Sequence, residues 1–179
     1  MIRIKKIKNF QRVFLNISFV ALVDTIDAQI LNWKQRKLGL DDFKAQELSI
    51  DTIAGQSSVF IGMLQKSKGA FLSFSVDACF DQSESWVKSS HKNQETLIHE
   101  QGHFDITEVY ARELLKKLNS KKFLIKETNE ADLIYKSIVQ EMNELQIQYD
   151  METKGGTITD KQQEWLHKIE ELLKQNSFN

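Results

Sequence analysis

The hydrophobic period of this 179-residue chain changes once, and that change restricts the fold more than any other feature. Between Ala70 and Phe80 the apolar residues Ala70, Leu72, Phe74, Val76, Ala78 and Phe80 alternate with a mostly polar set that includes Ser73, Ser75 and Asp77. Period two over that length predicts a half-buried strand. Residues 57–65 read as a second strand, and Lys66-Ser-Lys-Gly69 supplies a short turn, so the pair reads as an antiparallel hairpin. From about Ser90 the period becomes helical and stays so almost to the end. A first helix is expected over about 93–118 and a second over about 130–153, with Tyr135, Ile138, Met142, Leu145 and Tyr149 on one stripe. Gly155-Gly156 stops the second helix, Thr159 with Gln162 fits a capping box, and Trp165, Ile169 and Leu172 give a third helix its apolar face. The chain has no proline, so nothing of that kind interrupts these helices. Strands first and helices afterwards imply an α+β fold: a small antiparallel sheet in the N-terminal half, then about three helices. Residues 29–55 read as irregular, with room for one further strand.

Composition narrows the class. With 41% hydrophobic and 27% charged residues, a chain of this length makes one domain with one core, expected over residues 29–179. A formal net charge of -1 gives no whole-chain attraction to nucleic acid or to anionic membrane, so no nucleic-acid partner is expected. The single cysteine, Cys79, excludes an internal disulfide and the Cys-rich zinc modules. No apolar run reaches the 18 residues needed for a stable membrane span. At the N-terminus Arg3, Lys5, Lys6, Lys8 and Arg12 precede the apolar stretch 14–23, followed by Ile26-Asp-Ala28. Residues 1–28 therefore read as a secretory signal peptide, with an amphipathic helix or strand as the alternative; export would make the protein secreted or periplasmic.

The chemistry is concentrated in His99-Glu-Gln-Gly-His103, an H-E-x-x-H motif in a helical segment. Residues four apart share a helix face with Cβ atoms about 5–6 Å apart, so two imidazoles can converge on one ion at the Zn–N distance of about 2.0–2.1 Å. Glu100 sits about 100° round the helix, beside the ion, where a carboxylate can take a proton from water. His99, His103, Ile106, Tyr110 and Leu114 form one stripe, which points the histidines inward. The competing reading is a pair of histidines hydrogen-bonded in a core without metal. Gly102 costs about 1 kcal/mol relative to alanine inside a helix, which predicts close approach of another element there. Glu108 and Arg112 are expected to form an exposed ion pair, Tyr149 to be a core residue rather than an oxyanion donor, and His91 and His167 to lie at the surface.

With these residues in view the chain resembles the bacterial family of predicted secreted zinc-dependent proteases, catalogued as a domain of unknown function. The resemblance rests on His99-Glu-Gln-Gly-His-Phe-Asp-Ile-Thr-Glu108 with Tyr110-Ala-Arg112, on Ala78-Cys-Phe80 and Ser85-Trp-Val87, and on Tyr149-Asp-x-Glu-Thr153 with Gln163 and Trp165. It covers most of residues 30–170. It implies an exported, zincin-like metalloprotease with zinc as cofactor, His99 and His103 as metal ligands, Glu100 as general base, and a peptide or protein substrate. The family's second motif resembles Tyr-Asp-x-x-Thr-x-His-Gly, and aligning it puts Gly155 where a third ligand is expected. Catalytic zinc usually has three protein ligands, so a substitute is required. Asp150 and Glu152 are the nearest candidates. The alternatives are a weakened or inactive zincin-like binding or envelope module lacking the third ligand, and a structural helical protein with an incidental motif.

Overall fold

The alternating run around Val76 becomes the middle strand of a sheet, with its apolar face turned to the core and neighbouring strands on both sides. In the computed structural model, which describes residues 29–47 and 53–177, five strands precede three helices. Residues 1–28, read above as a signal peptide, lie outside the described residues. The strands are β1 (Ile30–Asn32), β2 (Gly55–Gln56), β3 (Val59–Lys68), β4 (Phe71–Asp81) and β5 (Trp86–Val87). The helices are α1 (Gln94–Asn119), α2 (Thr128–Thr153) and α3 (Thr159–Gln175). One antiparallel sheet has the order β1-β4-β3, and β2 with β5 forms a separate antiparallel pair. The expected α+β arrangement is the observed one.

The hairpin is tighter than expected. Lys66, Ser67 and Lys68 remain paired, opposite Ser73, Leu72 and Phe71, so the turn is only Gly69-Ala70. Gly69 takes φ 64°, the left-handed value that a two-residue hairpin turn needs. β4 pairs with β3 along its length and with β1 at Cys79–Asp81.

Val76, Ala78 and Phe80 alternate along β4 and are buried, and the Phe80 ring meets Phe43 edge-on at 5.3 Å and Phe104 of α1 at 5.8 Å. Helix α1 supplies Phe104, Ile106, Leu114 and Leu118 to the same core, α2 supplies Ile138 and Met142, and α3 supplies Trp165 and Ile169. Burial of each such side chain stabilises by about 1.5–3 kcal/mol before conformational entropy is counted. Asn93 starts α1 by accepting a 2.8 Å hydrogen bond from the Thr96 amide. Lys154, Gly155 and Gly156 end α2 in consecutive left-handed conformations, as the glycine pair predicts.

The predicted close approach at Gly102 is made by Tyr149 of α2. A Cβ at Gly102 would lie 2.8 Å from Tyr149 Cζ, inside van der Waals contact. Tyr149 is fully buried and donates a 3.0 Å hydrogen bond to the His99 carbonyl, so it is a packing residue, as expected, and not a donor to substrate. Helix propensity alone would make Gly102→Ala stabilising by about 1 kcal/mol. Overpacking against Tyr149 outweighs it, so the variant is expected to lose about 1–2 kcal/mol in urea denaturation; an unchanged or raised midpoint would contradict the contact.

Candidate metal centre

The first helix carries His99 and His103 on its inner face, and the second helix brings Asp150 to meet them. His99 Nε2 lies 3.1 Å from Asp150 Oδ1, His103 Nε2 lies 3.0 Å from the same oxygen, and the two Nε2 atoms are 3.3 Å apart. Donors held at about 2.0–2.1 Å around a tetrahedral ion are separated by about 3.3 Å, so the spacing fits a single zinc-sized cation. Two imidazoles and a carboxylate are also an ordinary donor set for zinc. Among the described residues this is the one group of three or more His, Cys, Asp or Glu side chains that converges in this way. His99 is 4% exposed, whereas the Asp150 side chain retains 31% exposure, so the cluster is reachable from solvent on the carboxylate side.

Each histidine is held from behind. His99 Nδ1 faces Gln162 Oε1 at 3.1 Å, and His103 Nδ1 faces Gln146 Oε1 at 2.5 Å. Tyr149 stacks on the His99 ring at 4.7 Å and meets His103 edge-on at 4.9 Å. Gly156 closes the other side of His99, where a Cβ would come within 2.8 Å of the histidine Cβ. The residue before it, Gly155, which stands where the resemblance places a histidine ligand, has nothing within 4 Å of a built Cβ. The third side chain that meets the two histidines is instead Asp150, five residues earlier in the chain. Glu152, the other candidate, turns away: it accepts from Trp165 Nε1 at 2.8 Å and from Gln148 Nε2 at 2.7 Å. His91 and His167 are exposed, as expected.

Glu100 is 4% exposed and is oriented by Ser57, whose hydroxyl donates to Oε2 at 2.6 Å. Ser57 lies between β2 and β3, a position that sequence pattern marks only as the start of a strand. Two further assignments change. Gln162 makes no capping box with Thr159; Ile158 is the N-cap of α3, and the Gln162 side chain turns inward to His99 and Tyr149. The Glu108–Arg112 pair is buried rather than exposed: Glu108 is 2% exposed, accepts from Arg112 Nε at 2.8 Å, and Arg112 also donates to the Leu173 carbonyl of α3. Its i,i+4 spacing is the same as that of a surface pair, and only the inward phase of α1 distinguishes them.

Electrostatics tie the cluster together. Burial would lower the His103 imidazole, but the hydrogen bond and charge of Asp150, with the nearby Glu100 charge, raise it to about 9. Burial would likewise raise Asp150, yet His103 and His99 together hold its carboxyl well below the usual carboxylate range.

Residues 75–156 match a family model described as "Bacterial protein of unknown function (DUF922)". The matched segment contains His99, Glu100, His103, Gln146 and Asp150, whereas Ser57 and Gln162 fall outside it. No curated protein and no solved structure matches the chain.

The pH dependence of the metal-free chain follows from the pair. His103 lies above its ordinary 6.5, so its contribution is complete below that value and disappears as the pH rises through about 9. Asp150 lies below its ordinary 3.8, so its contribution is present above that value and is lost in acid. In the presence of chelator, the melting temperature is expected to fall between pH 6.5 and pH 10, and Asp150→Asn should flatten that fall. An equally steep fall in the variant would contradict the pairing.

Proposed function

We propose that this chain is an exported zinc-dependent metalloprotease, a hydrolase of the zincin kind that cleaves peptide bonds with Glu100 as general base. The observation that carries the reading is the convergence of His99 Nε2, His103 Nε2 and Asp150 Oδ1 within 3.0–3.3 Å of one another, next to a buried glutamate in the same helical turn. Those three atoms would hold the ion. A zinc ion there would act as a Lewis acid, acidifying water and polarising a substrate carbonyl.

The chain's own residues account for the proton handling. Glu100 follows His99 directly, so its carboxylate is carried beside the donors and not among them. Ser57 donates to Oε2, and Oε1 is the oxygen that would accept a proton from the attacking water. The same carboxyl can then pass that proton to the leaving amine, which completes the general-base and general-acid halves of hydrolysis. Tyr149 is committed to the His99 carbonyl and takes no part in the chemistry.

The reading of an inactive binding module begins from a lost third ligand. Asp150 offers an oxygen donor beside the two histidines, which supports the hydrolase reading over that one. Among the described residues no helix is long and apolar enough to cross a membrane. Export rests on the basic and apolar pattern of residues 1–28.

Purified protein is expected to bind about one equivalent of zinc, and Asp150→Ala or His99→Ala to lose most of it while remaining folded. Glu100→Gln should keep the metal and lose about 10²–10⁴-fold in cleavage of a peptide library. Cleavage that survives Glu100→Gln or chelation would contradict the mechanism.

A further inference from the structure

We propose that Gln146 and Gln162 are positioning residues of the metal centre, each holding one histidine in the tautomer whose Nε2 lone pair faces the ion. The inference rests on the metal-holding reading above.

The hydrogen-bond network decides which way each amide points. Gln146 Nε2 donates to the His103 carbonyl at 3.0 Å and to Thr107 Oγ1 at 3.2 Å, and Thr107 itself donates to that carbonyl at 2.9 Å. A carbonyl can only accept, so the amide nitrogen must face it, and Oε1 is left for His103 Nδ1. Gln162 is fixed by a different route. The Tyr149 hydroxyl gives its only hydrogen to the His99 carbonyl at 3.0 Å, so it must accept from Gln162, whose Nε2 lies 2.6 Å away. Oε1 of Gln162 therefore faces His99 Nδ1.

An amide oxygen cannot donate, so both Nδ1 atoms must carry hydrogen. A neutral imidazole carries one hydrogen, and its Nε2 is then a bare lone pair. Both Nε2 atoms face Asp150 Oδ1, and each presents that lone pair to an ion when its ring is neutral. The two glutamines act from different helices: Gln146 sits one turn before Asp150 on α2, and Gln162 lies in the first turn of α3, beyond the segment that matches the family model. The third helix thus completes the site without touching the ion. Partners of this kind fix ring orientation, and their loss typically weakens metal binding by about 10–100-fold.

The test uses the full chain and cobalt(II) alone as probe, with affinity measured by competition against a chelator for wild type, Gln146→Leu and Gln162→Leu. Each variant is expected to bind cobalt about 10–100-fold more weakly than wild type. A merely structural role would lower the melting temperature of the metal-free variants and leave the cobalt affinity of the folded fraction within twofold of wild type, which would overturn the proposal. A second measurement needs no variant. Ring-nitrogen NMR of the zinc-loaded wild type should show both histidines bound through Nε2 with hydrogen on Nδ1. Binding through Nδ1 at either ring would overturn the assignment even if the variants fail to fold. Wild type that binds no cobalt defeats the metal-holding reading itself; wild type that binds, with both leucine variants binding equally well, defeats the positioning role alone.

Discussion

The absence of one side chain, at Gly102, allows the rest of the centre to assemble. Because α1 presents no Cβ there, the Tyr149 ring of α2 can enter the gap between His99 and His103, stack on the first and meet the second edge-on. The contact fixes both the separation of the two helices and their relative rotation. Asp150 is the next residue after Tyr149 and Gln146 is four before Asp150, so the rotation that seats the tyrosine also aims a carboxylate and an amide at the histidine pair. The His-x-x-x-His edge of one helix is thus read by a Gln-x-x-x-Asp edge of the other. Loops supply little: Ser57 orients Glu100, and Gly156 closes behind His99.

Placing two imidazoles and a carboxylate together away from bulk water is unfavourable unless charge is compensated. In the metal-free chain the compensation is the hydrogen bond and opposite charge between His103 and Asp150, which raise the one and lower the other. A divalent ion would compete with a proton on the histidine, so affinity and protonation are coupled. Glu100 has its own hydroxyl donor in Ser57, and its charge adds to the rise at His103. Glu100, next to His99 in sequence, and Asp150, next to both histidines in space, therefore sit in different environments.

The periodicity of the sequence was enough to place the hairpin and three helices within a few residues, because a period of two and a period near 3.6 bury different sets of side chains. His99, Glu100 and His103 were legible for the same reason: their spacing is a statement about one helix. The third donor was not, since Asp150 and Glu152 differ only in helical phase, and the rotation of α2 is set by the Gly102–Tyr149 contact across 47 residues of chain. Gln162 was obscured by a local pattern that mimics a capping box, and Glu108 by one that mimics a surface pair. Both are cases in which burial overrides a reading made from neighbours in sequence. Gly155 stands where the resemblance expects a histidine, and the side chain that converges on the histidine pair is Asp150, five residues earlier on α2.

The central claim is that one divalent ion is held jointly by α1 and α2, and anomalous diffraction at the zinc absorption edge from zinc-loaded crystals tests it most directly. The account predicts one strong peak about 2.0–2.2 Å from His99 Nε2, His103 Nε2 and an Asp150 carboxylate oxygen together. A crystal grown in excess zinc with no peak between those atoms, or with Asp150 turned away from a metal held by the histidines alone, would contradict it.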